Sequence, residues 1–206
     1  MKSIPNSLSK TRLERITEIF YAFALLILTY TFADIPDNLS SPGDRWGFYL
    51  SHNQTFLGFF ISFLIVAYYW INHQEYFKFF TGTDKVHTMI ELVYLMILIF
   101  MPYLNRFYEM YPDAIEPKIF LSIDMIVLGL LQYFSWSYAT KNRRLVDEAA
   151  PSDETIKAIK SGMLLMPALA FVAAVGAYIY PYLWEIVLVV GPIALTARKK
   201  VKTATN

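Results

Sequence analysis

The fold is decided by an uncharged stretch, QTFLGFFISFLIVAYYWIN at residues 54–72. A helix of this length measures about 28 Å, close to the thickness of the hydrocarbon core of a bilayer. The whole chain is 56% hydrophobic and only 17% charged, whereas soluble domains carry about 25% charged residues. The stretch therefore predicts a helix that crosses a membrane.

Five further apolar stretches flank this one, and together they predict an all-α membrane protein with six transmembrane helices in a single domain, residues 1–206. Pro102 predicts a kink in the third helix because it lacks a backbone donor. Trp46 to Leu50 is too short to span a bilayer and is interpreted as an interfacial loop. The six predicted helices cover residues 16–33, 54–72, 86–107, 118–140, 156–180 and 182–197.

The basic residues predict the orientation. Of the 18 Lys and Arg residues, 15 fall in terminal and connecting segments on one side of the predicted helices, and Arg45, Arg106 and Lys118 fall on the other. Because basic residues concentrate on the cytoplasmic side of membranes, both termini are expected there, in a multi-pass protein of the cell membrane.

Several classes of function are disfavoured by composition. There is no Cys, and the net charge of +1 argues against a nucleic-acid partner. No zinc-protease, nucleophile-elbow, P-loop or dinucleotide motif is present, so we expect neither an enzyme nor a bound cofactor. His52, His73 and His87 are too scattered along the sequence to predict a metal site.

Three acidic residues lie within or at the ends of predicted membrane helices, where charge is costly and commonly functional. Glu18 and Glu91 lie toward the cytoplasmic ends of their helices, and either gating or simple helix packing would explain them. Asp124 lies near the outer end of the fourth helix and is expected to reach the lipid headgroups.

The first helix carries bulky apolar residues at helical spacing. Such a stripe can line an oligomeric pore and gate it by expelling water, or it can face lipid or packing partners. The candidate constriction residues are Phe23, Leu26, Ile27 and Tyr30.

RLERITE at residues 12–18 resembles the R-x-x-x-F-S-D signature that opens helix 1 of the transmembrane protein 175 family of potassium channels. YWINH at residues 69–73 is similar to the Tyr-Trp-x-x-His that ends the family's second helix. Asp84, Glu91 and Pro102 match the spacing of its Asp, Asn and Pro across the third helix.

The resemblance implies six-helix subunits that assemble as homotetramers, with helix 1 lining a central pore for potassium and other monovalent cations. It also implies conduction that is weakly to moderately selective, without a T-V-G-Y-G filter. A polar network that holds helix 1 is carried over as Arg12, Thr17, Glu18, Trp70 and His73, with Glu91 adding a charge that the network must neutralise.

Two departures from the family pattern affect the pore. Phe23 stands where the family has its constricting Ile, and Leu26 stands where many members have Thr, so conductance and selectivity are left open. A proton-coupled or solute transporter using Glu18, Glu91 and His73, and a non-conducting scaffold, are the alternative functions.

Overall fold

The computed structural model describes residues 9–32, 39–147 and 151–191. These residues are helical apart from turns, bends and isolated bridges such as that between Phe80 and Val146. Short 3-10 turns follow α1 and α6, at Thr29–Phe32 and Lys141–Arg143. The helices are α1 (Lys10–Leu28), α2 (Pro42–Ser51), α3 (Asn53–Phe77), α4 (Lys85–Leu98), α5 (Met101–Met110), α6 (Ile115–Thr140), α7 (Asp153–Met163), α8 (Leu165–Ile179) and α9 (residues 183–191).

Four helical segments are long and apolar enough to cross a membrane. They are Thr55–Phe77, Lys85–Met110, Ile115–Arg143 and Asp153–Ile179. The predicted class of membrane protein with apolar helices is therefore confirmed. The six crossings stay a prediction, in which α1 and α9 supply the first and the last.

Two of these segments are interrupted. α4 ends at Leu98 and α5 begins at Met101, with Pro102 in its first turn, where the missing backbone donor costs least. The third predicted helix is thus two shorter helices. α7 and α8 meet at Leu164 in the same manner, ahead of Pro167.

The segment around Trp46 is a helix, so its interpretation as a loop was wrong. The Ser41 hydroxyl accepts from the Asp44 amide at 3.1 Å, and the Asp44 carboxylate accepts from the Ser41 amide at 3.0 Å. This capping box, with Pro42 in the first turn, starts α2 where little hydrophobic pattern would predict it. No residue of α2 is buried.

α6 lies at the centre of the bundle and packs against α3, α4, α5, α7 and α8. Its close approach to α8 depends on Gly129, where an added Cβ would lie 2.2 Å from Cγ of Pro167. α1 lies at the edge and packs against α3, α4 and α5. α1, the helix expected to line a pore, is therefore packed against other helices on one side only.

Candidate functional site

α1 has two apolar faces with different environments. One face is buried against the bundle and consists of Leu13, Thr17, Tyr21, Ala24 and Leu28. The opposite face is uncovered in the single chain. Its candidate constriction residues have exposed fractions of 53% for Phe23, 56% for Leu26 and 37% for Ile27, and Tyr30, in the 3-10 turn after α1, is 70% exposed.

The predicted network residues at the start of α1 lie in several places. Arg12 is exposed, and the Thr17 hydroxyl donates to the carbonyl of Leu13 at 2.9 Å within its own helix. Glu18 and Trp70 line one groove of about 290 Å³ between α1 and α3. The structure thus brings Glu18 and Trp70 to one surface and leaves Arg12 apart from them.

His73 and Glu91 meet inside the bundle. Nε2 of His73 lies 3.0 Å from Oε2 of Glu91, and both residues are 1% exposed. The ring of His73 stacks on Phe77 with 4.8 Å between centroids. This contact joins α3 to α4 and lies behind the buried face of α1, since Tyr21 meets the His73 ring edge-on.

Two residues outside the predicted polar network complete the partners of Glu91. Ser135 of α6 donates to Oε1 of Glu91 at 2.5 Å, and Nε2 of His87 lies 3.5 Å from the same oxygen. His87 also contacts Ser135 at 3.1 Å and, through Nδ1, Thr83 at 2.7 Å. A buried carboxylate with this many polar partners is stabilised where a lone one would be costly.

His87 could have been found from the sequence because it lies four residues before Glu91, on the same side of one helix. Ser135 could not, because it is brought in by tertiary packing. His52 lies apart, stacked on Phe48 at the end of α2 with 4.0 Å between ring centroids. Among the described residues, no group of three His, Cys, Asp or Glu side chains has a geometry that could hold a metal.

Asp84, at the start of α4, contacts the end of α6 and the connection that follows it. Its carboxylate accepts from the His87 amide at 2.9 Å and from the Tyr138 hydroxyl at 2.8 Å, with Nε of Arg144 at 3.3 Å. Burial alone would raise the pKa of Asp84. The hydrogen bonds and the guanidinium outweigh burial and hold this pKa below its usual value.

Asp124 does not reach outward, so that expectation was wrong. Its side chain is 5% exposed, and Oδ2 has no hydrogen-bond partner among the described residues. The reason is its helical phase, since it shares the buried face of α6 with Leu121 and Leu128.

A buried ion pair lies at the opposite end of the bundle. Nζ of Lys118 lies 2.9 Å from Oε1 of Glu185, and the Tyr108 hydroxyl donates to the same oxygen at 2.8 Å. Lys118 also donates to the carbonyl of Pro181 at 3.0 Å. This pair fixes α9 to α6.

The fold and the two-faced first helix define the class of helical membrane proteins. Residues 12–102 match the family model described as endosomal/lysosomal potassium channel TMEM175. The resemblance predicted from the sequence is thereby confirmed for the first half of the chain.

Two curated relatives agree with this assignment. A protein of Streptomyces collinus named as a potassium channel is 23% identical over 174 residues, covering 79% of this chain and 83% of that protein. The Gallus gallus protein named endosomal/lysosomal proton channel TMEM175 is 25% identical over 126 residues, or 59% of this chain. The match covers 25% of the chicken protein's length.

Solved structures show the same fold. A lysosomal potassium-selective channel TMEM175 homolog from Chamaesiphon minutus superposes with a TM-score of 0.77 at 20% identity, covering 92% of this chain and 97% of that one. A variant of the potassium channel MtTMEM175 gives a TM-score of 0.60 at 15% identity, covering 98% of each chain.

Proposed function

We propose that this protein is one subunit of a potassium-permeable cation channel, in which α1 of each of four identical copies faces a common axis. The observation that carries the proposal is the uncovered apolar face of α1. Phe23 and Leu26 are among the most exposed apolar side chains of α1, although the opposite face is buried against the bundle. The names and folds of the relatives support the same conclusion.

The proposed pore closes by a hydrophobic constriction. Rings of Phe23 and Ile27, with Leu26 and Tyr30 beside them, would narrow the axis and expel water without any charged group. Four phenylalanine rings also offer aromatic faces to a passing cation, which favours weak to moderate selectivity over a strict filter. Potassium is the permeant ion, and no cofactor takes part.

The polar residues beneath this constriction are proposed to position α1. His73 and Glu91 meet in a buried contact behind it, Glu18 and Trp70 line the groove between α1 and α3, and Arg12 and Thr17 lie near the start of α1. A multi-pass arrangement with six crossings in the cell membrane and both termini in the cytoplasm follows from the distribution of basic residues.

Potassium flux in liposomes tests the proposal. Purified protein should pass K⁺ faster than empty vesicles do, and Phe23→Ala should raise that flux several-fold because the constriction widens. Phe134→Ala is the matched control, since Phe134 of α6 is 55% exposed and Phe23 is 53% exposed. The control should conduct like the unaltered chain.

The mass of the detergent-solubilised complex supplies an independent measurement, because a pore shared between subunits requires closed rotational symmetry. Four copies with measurable flux would support the channel. A monomer or dimer without flux, unaffected by Phe23→Ala, would favour the non-conducting scaffold.

The buried contact of two histidines with Glu91 favours one other function, proton-coupled transport. Imidazole is the side chain whose protonation changes most readily near neutral pH, and both rings contact one carboxylate. This alternative predicts uptake driven by a pH gradient and lost in Glu91→Gln. Potassium flux that is independent of the pH gradient would exclude it.

A further inference from the structure

We infer that the hydrogen bond between the hydroxyls of Tyr21 and Tyr94 sets the rotation of α1 about its own axis. Its last step, the choice of the side chains that face the axis, rests on the proposed function. Tyr21 is a positioning residue in this account, because it acts through the helix that carries it and does not touch the permeating ion.

On the side of the bundle, the contact continues into further hydrogen bonds through the Tyr94 hydroxyl. The Tyr21 hydroxyl of α1 bonds the Tyr94 hydroxyl of α4, and both residues are nearly fully buried. The side-chain amide of Gln132 in α6 donates to the Tyr94 hydroxyl at 3.1 Å and to the Tyr69 carbonyl of α3 at 3.0 Å. The chain of hydrogen bonds therefore runs from α1 through three other helices.

On the side of α1, Nζ of Lys10 also contacts α3, at 5.7 Å from the centroid of the Phe77 ring, but it lies about three turns before Tyr21. Thr17 and Thr29 donate to carbonyls of their own helix, so the Tyr21 hydroxyl makes the one side-chain hydrogen bond from α1 to another helix within residues 9–32. The large polar side chain of Tyr21 is thus held at one position around the axis of α1.

Hydrophobicity does not specify the same rotation. The buried face of α1 carries Leu13, Ala24 and Leu28, and its exposed face carries Phe23 and Leu26. Lipid chains are as apolar as these side chains, so turning the helix changes little apolar burial. Together with the close packing of Ala24 and Leu28, both 0% exposed, a directional hydrogen bond then distinguishes one rotation from its neighbours.

The geometry relates this bond to the proposed constriction. At about 100° per residue, Phe23 lies about 160° and Leu26 about 140° around α1 from Tyr21. Tyr21 therefore points into the bundle where Phe23 and Leu26 point away from it. Loss of the bond should let α1 turn about its own axis. Neighbouring side chains of α1 would then face the pore axis in place of the constriction residues.

Cysteine accessibility can measure that rotation because the chain has no native Cys. Ala22 is exposed and Ala24 is 0% exposed, so the two alanines report opposite sides of α1. Each is changed to Cys, and the rate of modification by N-ethylmaleimide is measured for the solubilised protein. Ala22→Cys should react and Ala24→Cys should be protected.

Tyr21→Phe removes the hydroxyl and keeps the ring. In this background Ala24→Cys should react about three- to tenfold faster, the range expected for losing one hydrogen bond between membrane helices. Tyr94→Phe should give the same change, and the double variant should add little because both remove one bond. Tyr94→Phe also provides the test if Tyr21→Phe fails to fold.

Tyr69→Phe is the control for general loosening. Tyr69 is as buried as Tyr21 and donates to the Met125 carbonyl at 2.5 Å, which joins α3 to α6 without α1. It should lower the unfolding temperature without exposing Ala24→Cys. Equal protection of Ala24→Cys in the Tyr21→Phe and parent chains, or equal loss of protection in Tyr69→Phe, would overturn the inference.

The proposed function is tested separately by the potassium flux of the same preparations. A changed labelling rate without flux in any variant would leave the rotation established and reject the channel. Flux with unchanged labelling would support the channel and reject the role of Tyr21.

Discussion

Oε2 of Glu91 in α4 lies 3.0 Å from Nε2 of His73 in α3, although both side chains are only 1% exposed. The other oxygen of the carboxylate accepts from Ser135 of α6 at 2.5 Å. One side chain therefore joins three helices behind α1. Because desolvation of a carboxylate is expensive, these partners are needed for Glu91 to be buried at all.

Replacing Glu91 by Leu should destabilise the protein by about 3 kcal/mol, since His73, Ser135 and His87 would lose their shared partner. Glu91→Gln should cost less, because the amide still offers an oxygen to Ser135. The measurement is the unfolding midpoint of the detergent-solubilised protein, with Glu75→Gln on the exposed side of α3 as control. Equal midpoints for Glu91→Leu and the control would contradict this account of the cluster.

Gly129 tests the contact between α6 and α8. Gly129→Ala should destabilise by about 2 kcal/mol, because its Cβ would lie 2.2 Å from Cγ and 2.6 Å from Cδ of Pro167, whose ring cannot swing aside. Gly162→Ala is the matched control, since nothing lies within 4 Å of its added Cβ. That control should be neutral or gain up to about 1 kcal/mol from helix propensity. The thermal unfolding temperatures of the two variants, compared with that of the parent chain, provide the measurement.

The sequence was most informative where hydropathy dominates. Residues 54–72 and 118–140 fall within the observed α3 and α6, because long apolar stretches need no tertiary information. α2 was missed because its start depends on the Ser41 capping box, in a segment with no buried residue.

The candidate site was only partly predictable for a related reason. His73 and Glu91 could be singled out because charge and imidazole are conspicuous in membrane helices. Ser135 is an ordinary residue of α6 until packing places it 2.5 Å from Glu91, and the Tyr94 hydroxyl meets Tyr21 only when α1 docks. The expectation for Asp124 was wrong because the depth of a residue along α6 does not show on which side of the helix its side chain lies.

Asp84 should make stability depend on acid pH. Its pKa is lowered in the folded protein, so its contribution is present above the unfolded value of about 3.9 and is lost as the pH falls through the folded value. Asp84→Asn keeps a capping side chain but loses the charge opposite Arg144, and should cost about 0.5 kcal/mol at pH 7. The gap between the two proteins should close in acid.

Unfolding midpoints of Asp84→Asn between pH 3 and pH 7 provide the measurement, with Arg144→Gln as a second variant. The double variant should be little worse than either single one, since both remove the same ion pair. A gap that stays constant with pH would show that the charge of Asp84 is not responsible.

The buried pair of Lys118 and Glu185 gives a stronger test of how charge is tolerated here. Lys118→Met should destabilise by about 3 kcal/mol, because it leaves Glu185 buried with only the Tyr108 hydroxyl and no cation. Lys118→Met combined with Glu185→Leu should be more stable than Lys118→Met alone, since the second change removes the uncompensated carboxylate. Unfolding midpoints of the two single variants and the double variant give the coupling free energy directly. Additive losses would show that the two charges do not depend on each other, and that α9 is held to α6 by other contacts, such as the 2.9 Å hydrogen bond that Nε1 of Trp184 donates to the Ser122 hydroxyl.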